Sequence, residues 1–163
     1  MGEVTVRRAV EADESALLAI ELTAWDASSG FPSMTAPDRT TFFSERSGPD
    51  AHLVAEVDGV VVGYVRLQDK YPFPEGAGVL SVNGLAVANS ARGRGIGSIL
   101  LTAVSDEAKR RGARKITLFV HGTNTVARRL YERHGYVVEG TLPREFVIDG
   151  QYVDTHVLAR HLD

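Results

Sequence analysis

The chain of 163 residues contains no cysteine. That absence excludes a disulfide frame, a thiolate nucleophile and a cysteine-based metal centre, and no metal is expected. It also suits a reducing compartment, so a cytoplasmic location is the expectation. Proline is scarce, at six residues, and no Pro/Ser-rich linker or internal repeat interrupts the chain. One domain over residues 1–163 is the simplest parse. No apolar run approaches the roughly 18 residues of a membrane helix. Residues 1–14 lack the apolar core of a secretory signal. Met1-Gly2 opens like a myristoylation site, but Val6 stands where Ser or Thr is required. No membrane partner is therefore expected. An excess of positive charge is missing too: 18 Lys or Arg face 21 Asp or Glu, a net charge of −3. Bulk nucleic-acid binding is thus not expected.

What charge there is lies unevenly. Ala91 to His134 holds 10 basic and 3 acidic residues, net +7, which leaves −10 for the rest. A basic stretch inside an acidic chain fits a compact anionic ligand, and a solvated helix face would give the same count.

Hydrophobic periodicity outlines the elements. Val4 to Val10 reads as a strand. Ala12 to Ala27 reads as a helix, with Leu17, Ile20 and Ala24 on one stripe. Ser28 to Ala36 is a loop, and Pro37 suits the first turn of a short second helix ending near Ser47. His52 to Val57 and Val60 to Gln68 flank Asp58-Gly59, a strong hairpin signal. Val79 to Val87 is a strand whose broken alternation and Gly84 point to a bulge. Gly95 to Arg111 is an amphipathic helix, and Lys115 to Val120 is a strand. Thr123 is the candidate N-cap of a helix through His134. A last hairpin turns at Asp149-Gly150 between Tyr136 to Ile148 and Gln151 to Leu158. The order βααβββαβαββ implies a mixed α/β (α+β-like) fold. Its sheet is mostly antiparallel, with one parallel pair joined by a right-handed crossover.

The segment Arg92-Gly93-Arg94-Gly95-Ile96-Gly97-Ser98 lies between a strand and a helix. Glycines allow close backbone approach, helix N-terminal amides favour anions, and arginines add donors suited to phosphate. Pyrophosphate binding is one reading; a tight strand-to-helix turn is the other. A P-loop is excluded because it needs Gly-Lys-Ser/Thr at the helix start, and no lysine follows the glycines before Lys109. The dinucleotide fingerprint fails because Ser98 stands at its sixth position. Farther on, Asn124 and Tyr131 stand two helical turns apart, with Ala127 on the same face. Periodicity alone makes Tyr131 a core residue.

Two segments together resemble the signature of the GNAT superfamily of acetyl-CoA-dependent N-acetyltransferases. One is Arg92-x-x-Gly95-x-Gly97, preceded by Leu85-Ala86-Val87. The other is Asn124-x-x-Ala127-x-x-Leu130-Tyr131-Glu132, closed by Gly135-Tyr136. The strand order resembles that fold over almost the whole chain. The resemblance implies one GNAT-type domain, a splayed parallel pair and helices on both faces. It assigns acetyl-CoA as cosubstrate and an amine as acceptor. It carries cofactor-arm binding to the backbone of Leu85, Ala86 and Val87, and pyrophosphate binding to Arg92, Gly93, Arg94, Gly95, Ile96, Gly97 and Ser98. Asn124 would hydrogen-bond the cofactor arm, and Tyr131 would protonate the departing thiolate. Arg128 could reach a phosphate or remain on the surface. The resemblance also allows a homodimer, without indicating an interface.

The implied mechanism is direct attack, with the Leu85 amide polarising the acetyl oxygen. The general base is open. Ser81 and Asn83 occupy the strand positions where some GNAT proteins carry a carboxylate, which leaves Glu56, Glu75, His121 or water. Acceptor walls are sought among Trp25, Phe31, Phe42, Phe43, Tyr71 and Phe73, and cation attraction among Asp26, Asp38, Asp69 and Glu75. A small amine is the expected acceptor. A peptide or protein amino terminus, a non-catalytic coenzyme A-binding module and a nucleotide-binding protein are the alternatives.

Overall fold

The computed structural model describes residues 2–26, 29–35 and 38–163. Among the described residues seven strands and three α-helices follow in the order β1 (Val4–Arg8), α1 (Glu14–Ala24), β2 (His52–Val57), β3 (Val60–Asp69), β4 (Val79–Val87), α2 (Ile96–Arg110), β5 (Lys115–His121), α3 (Thr125–Arg133), β6 (Val137–Ile148) and β7 (Gln151–His161). The strands make one sheet, ordered β1-β2-β3-β4-β5-β7-β6. Every neighbouring pair is antiparallel except β4 and β5. Both Asp-Gly turns take positive φ at both residues, 52° and 79° at Asp58-Gly59 and 51° and 77° at Asp149-Gly150. That geometry matches the right-handed twist of the flanking strands.

The sheet separates two cores. On one face α2 places Leu100, Leu101 and Val104, all fully buried, against Val65, Ile116 and Leu158. On the other α1 packs Leu17 and Ile20 against Val54, Tyr64 and Ala86, with Phe42 beside them. Each such Leu or Ile contributes about 1.5–3 kcal/mol relative to exposure. Among the described residues no helix is long and apolar enough to cross a membrane.

The second helix expected from Pro37 to Ser47 does not form over residues 38–47, and Pro37 itself lies outside the described residues. That stretch instead holds an isolated antiparallel bridge between Ser44 and Ser47. One turn of 3-10 helix at Pro32–Thr35 stands near it. The reason is a partner distant in the chain. The amides of Phe42 and Phe43 donate to Glu14 Oε2 at 3.2 and 3.0 Å, so they are not available for helical bonding. The expected helix of residues 12–27 is also shorter at both ends, and Ala27 lies outside the described residues. Residues 11–13 form a 3-10 turn, the α-helix runs from Glu14 to Ala24, and Trp25 is extended.

The expected bulge lies beside Gly84. Arg66 faces Gly84 and Leu67 faces Val82, so Asn83 is the extra residue of β4. The parallel ladder of β4 and β5 ends at Val82 and Leu118, although β4 continues to Val87 and β5 to His121. Beyond that point, among the described residues, β4 remains paired with β3 alone and β5 with β7 alone. The sheet therefore opens in its middle.

Candidate active site

A cavity of about 720 Å³ lies over this opening. Its floor includes Tyr64 and Arg66 of β3, Gly84 and Leu85 of β4, and His121 of β5. Glu21 and Trp25 of α1, Phe42 and Phe43 contribute a wall, while Asn124 and Tyr131 come from the α3 side. The free edge of β4 after Val82 carries Leu85, Ala86 and Val87, whose other edge is paired with Val65, Tyr64 and Gly63. A strand edge with unpaired amides and carbonyls can accept an extended amide-bearing ligand as an added strand.

The glycine-rich segment leads from β4 into α2. Gly93 and Gly95 take φ values of 78° and 74°, and Gly95 is the helix N-cap. A Cβ at either would meet nothing within 4 Å. Backbone conformation, rather than crowding, therefore demands glycine there, and the turn lies open. The first amides of α2, at Ile96, Gly97 and Ser98, have no preceding helical carbonyls to bond, and the helix dipole adds positive potential. Gly97 has a different role: a Cβ there would stand 3.2 Å from Leu130 Cδ2, so its smallness permits α3 to approach α2. Ser98 Oγ lies 2.6 Å from His134 Nε2. Arg92 donates from Nη2 to the carbonyl oxygen of Ala24 at 2.6 Å. Its guanidinium thus ties the turn to the C-terminus of α1, leaving only its other nitrogens for a phosphate. Arg94 is partly exposed on the same turn.

Asn124, not Thr123, caps α3. Its Oδ1 accepts from the Ala127 amide at 3.1 Å. The cap occupies the oxygen and leaves Nδ2 as the donor of a residue on the cavity wall. Tyr131 is 9% exposed, with its ring centroid 6.0 Å from that of Tyr136. Burial pushes its phenol above the ordinary range, so it holds its proton at neutral pH. Arg128 turns to the surface, with Nε 2.9 Å from Glu132 Oε1 and Nη1 3.5 Å from His156 Nε2.

Of the three base candidates the structure brings only His121 to the cavity. It is buried, with Nε2 3.3 Å from the Gly30 carbonyl oxygen and the Phe31 ring at 4.9 Å. Glu56 stands at the β1–β2 side, 3.3 Å from Arg7, and Glu75 is exposed in the Pro74–Gly76 turn. Neither lines the cavity. Trp25, Phe31, Phe42 and Phe43 do line it. Tyr71 and Phe73 instead stack on each other at 5.2 Å and stay exposed before β4. Asp26, Asp38 and Asp69 also lie outside the cavity wall.

Sequence reasoning missed the polar floor. Glu21 is 5% exposed and accepts hydrogen bonds from the Tyr64 hydroxyl and, at 2.9 Å, from Trp25 Nε1; Arg39 Nη1 stands 3.9 Å away. The signal was present in the helix. Leu17, Ile20, Glu21 and Ala24 keep the i, i+3, i+4, i+7 spacing of a buried face, so a carboxylate belongs among its apolar residues. His52 is 2% exposed, 2.8 Å from the Gly48 carbonyl through Nδ1, and burial lowers its pKa, so it is neutral at pH 7.

Comparison with known proteins identifies the chain as an acetyl-CoA-dependent acetyltransferase. The chain belongs to the acetyltransferase (GNAT) family, whose model matches residues 16–136. It is 30% identical over 111 residues to an L-methionine sulfoximine/L-methionine sulfone acetyltransferase of Salmonella typhimurium, covering 68% of this chain and 64% of that protein. A GCN5-related N-acetyltransferase from Kribbella flavida superimposes with a TM-score of 0.79 at 34% identity, covering 98% of both chains. The fold is also shared with yncA from Salmonella typhimurium, solved with acetyl-CoA: TM-score 0.77, 23% identity, 99% of this chain and 95% of that one.

Proposed function

We propose that this N-acetyltransferase moves the acetyl group of acetyl-CoA directly to the amine of a small amino compound. The observation that carries the reading is the end of the β4–β5 ladder at Val82 and Leu118, with Leu85, Asn124 and Tyr131 on the cavity that opens there. The edge of Leu85 to Val87 and Asn124 Nδ2 would hold the amide-bearing arm. The first turn of α2 would hold the pyrophosphate. A neutral amine adds to the thioester carbonyl while the Leu85 amide stabilises the developing oxyanion. The C–S bond then breaks, and Tyr131 gives its proton to the thiolate. Burial raises that phenol above the ordinary value of about 10, while the thiolate's acid has pKa about 8.5, so the transfer is uphill and a fixed hydrogen bond must assist it. His121, on the cavity wall, would take the amine's proton, directly or through water.

A small acceptor is supported over a polypeptide by the cavity wall. Phe31 meets His121 at 4.9 Å and Phe146 at 4.8 Å, which draws the segment after α1 onto β5 and β6. The relative acting on methionine sulfoximine and sulfone points to the same class. Use of acetyl-CoA and the lack of cysteine support a cytoplasmic location.

The test is free-thiol release from acetyl-CoA with amino acids, polyamines, amino sugars and short peptides. Turnover with a small amine is expected. Coenzyme A binding without turnover on any acceptor would favour the non-catalytic module, and turnover confined to peptides would favour amino-terminal acetylation.

A further inference from the structure

The charged residues on the cavity wall are Glu21, Arg39, Arg66 and Glu145. Three have accounts. Glu21 is held by Tyr64 and Trp25, Arg39 stands 3.9 Å from Glu21, and Glu145 is exposed on β6. Arg66 has none. Its side chain makes no hydrogen bond or ion pair with any described residue, and its Nε is shut off from solvent without a partner. Leaving a buried donor of a cation unsatisfied is costly. Burial accordingly disfavours the charged form, against the through-space pull of Tyr64 and Glu21. His52, the cross-strand partner of Arg66 on β2, is buried and neutral and supplies no counter-charge.

Position gives this cation a meaning. Across the sheet Arg66 faces Gly84, which brings no side chain into the space between them. The next residue of β4 is Leu85, whose amide is placed at the acetyl carbonyl in the reading above. Neighbouring strands lie about 5 Å apart. An anionic group at Arg66 and an amine at the reaction centre therefore belong to one small molecule, with few bonds between them.

We propose that Arg66 reads a carboxylate on the acceptor, so that the substrate is a small amino acid rather than a plain amine. This rests on the acetyl-transfer reading. The carboxylate pairs with the two terminal nitrogens of Arg66, which unlike Nε are not shut off, in the two-point geometry that a guanidinium offers. Plain amines and polyamines leave the cation as unpaired as it is in the free enzyme.

The experiment compares each α-amino acid with its own carboxamide, measuring kcat/KM for thiol release at matched concentrations of neutral amine. The wild-type chain is expected to favour the acid by at least about tenfold, the worth of one charge-assisted pair. Arg66→Met is expected to bring that ratio to near one, and Arg66→Lys to keep part of it. The ratio is internal to each variant, so a general loss of activity does not disguise it. Should Arg66→Met not fold, Arg66→Gln and Arg66→Lys carry the same comparison. Equal use of acid and carboxamide by the wild type, or a preference that survives Arg66→Met, overturns the carboxylate assignment and leaves acetyl transfer standing. Silence toward every amine removes acetyl transfer to small amines, and the assignment falls with it.

Discussion

Tyr64 donates its hydroxyl hydrogen to the carboxylate of Glu21, joining β3 to α1 across 43 residues of chain beside the acceptor cavity. Both groups are buried. Tyr64→Phe removes a donor from a carboxylate that cannot turn to water, which costs about 1–3 kcal/mol. Urea unfolding at pH 7 is expected to show that loss, with an unchanged m-value. An equal midpoint would mean that Trp25 and Arg39 alone satisfy Glu21.

Burial also raises the phenols of Tyr64 and Tyr131 above the ordinary range and that of Tyr136 to about 12. For a group raised on folding, the stability contribution is complete below the unfolded pKa, about 10 for tyrosine, and is lost as pH climbs toward the folded value. Alkaline unfolding should therefore begin above about pH 10, with tyrosinate absorbance appearing together with loss of structure. Tyrosinate formation in the intact fold near pH 10 would contradict the burial.

Tyr131→Phe separates chemistry from binding. The ring remains to fill its place beside Tyr136, while the proton donor is gone. A fall in kcat of about 10²-fold or more is expected, within the range for a positioned acid, with acetyl-CoA dissociation changed less than about threefold. An unchanged kcat would remove the acid role and return Tyr131 to the core. Because the phenol stays protonated, the wild-type rate should show no loss assignable to Tyr131 below about pH 10.

Gly95→Val tests the anion-binding turn. Space is not the obstacle, since a Cβ there meets nothing within 4 Å. The obstacle is φ of 74° at the N-cap, which costs an L-residue about 1–2 kcal/mol and more when it is β-branched. The turn should relax, moving the first amides of α2, and coenzyme A affinity should drop about tenfold for 1.4 kcal/mol lost. Calorimetry on the wild type and the variant reads this directly. Equal affinities would disconnect the turn from the cofactor.

The strands, both Asp-Gly hairpins and the bulge beside Gly84 were legible because each rests on local chemistry: period-two patterning, turn residues and a glycine interrupting a strand. Three features were not, for one shared reason. Glu14 lies outside the 37–47 segment yet takes the amides of Phe42 and Phe43 and prevents a helix there. Arg92 has the composition of a phosphate ligand, yet it reaches the end of α1, 68 residues away. Arg66 acquires its unpaired state from the sheet neighbours His52 and Gly84. Residues distant in sequence decide all three, so none can be read from a local pattern. Asn124 shows the opposite case. Its cap was legible as a helix start, displaced by one residue, because N-capping is local.

Outside the cavity, Glu107 of α2 gathers Arg8, Arg110 and Arg111 at 3.0, 2.6 and 3.0 Å. Arg8 brings β1 into this cluster, so the contacts tie the sheet edge to the helix rather than only neighbouring turns. Hydrogen bonding, first from Arg110 and then from Arg111 and Arg8, lowers its pKa from the ordinary 4.5 to about 2. A carboxylate depressed on folding stabilises above its unfolded pKa, and that contribution fades as pH falls from 4.5 toward 2. Arg110 is largely open to solvent and Arg8 and Arg111 partly so, so screening reduces the benefit at pH 7. Glu107→Gln keeps the shape and removes the charge. Urea unfolding at low ionic strength should show the variant less stable than the wild type at pH 7, with the gap closing as pH falls below about 4.5. High salt should narrow the gap at pH 7. A gap that is the same at pH 7 and at pH 2.5 would mean that lost packing, not the ionised cluster, separates the two proteins.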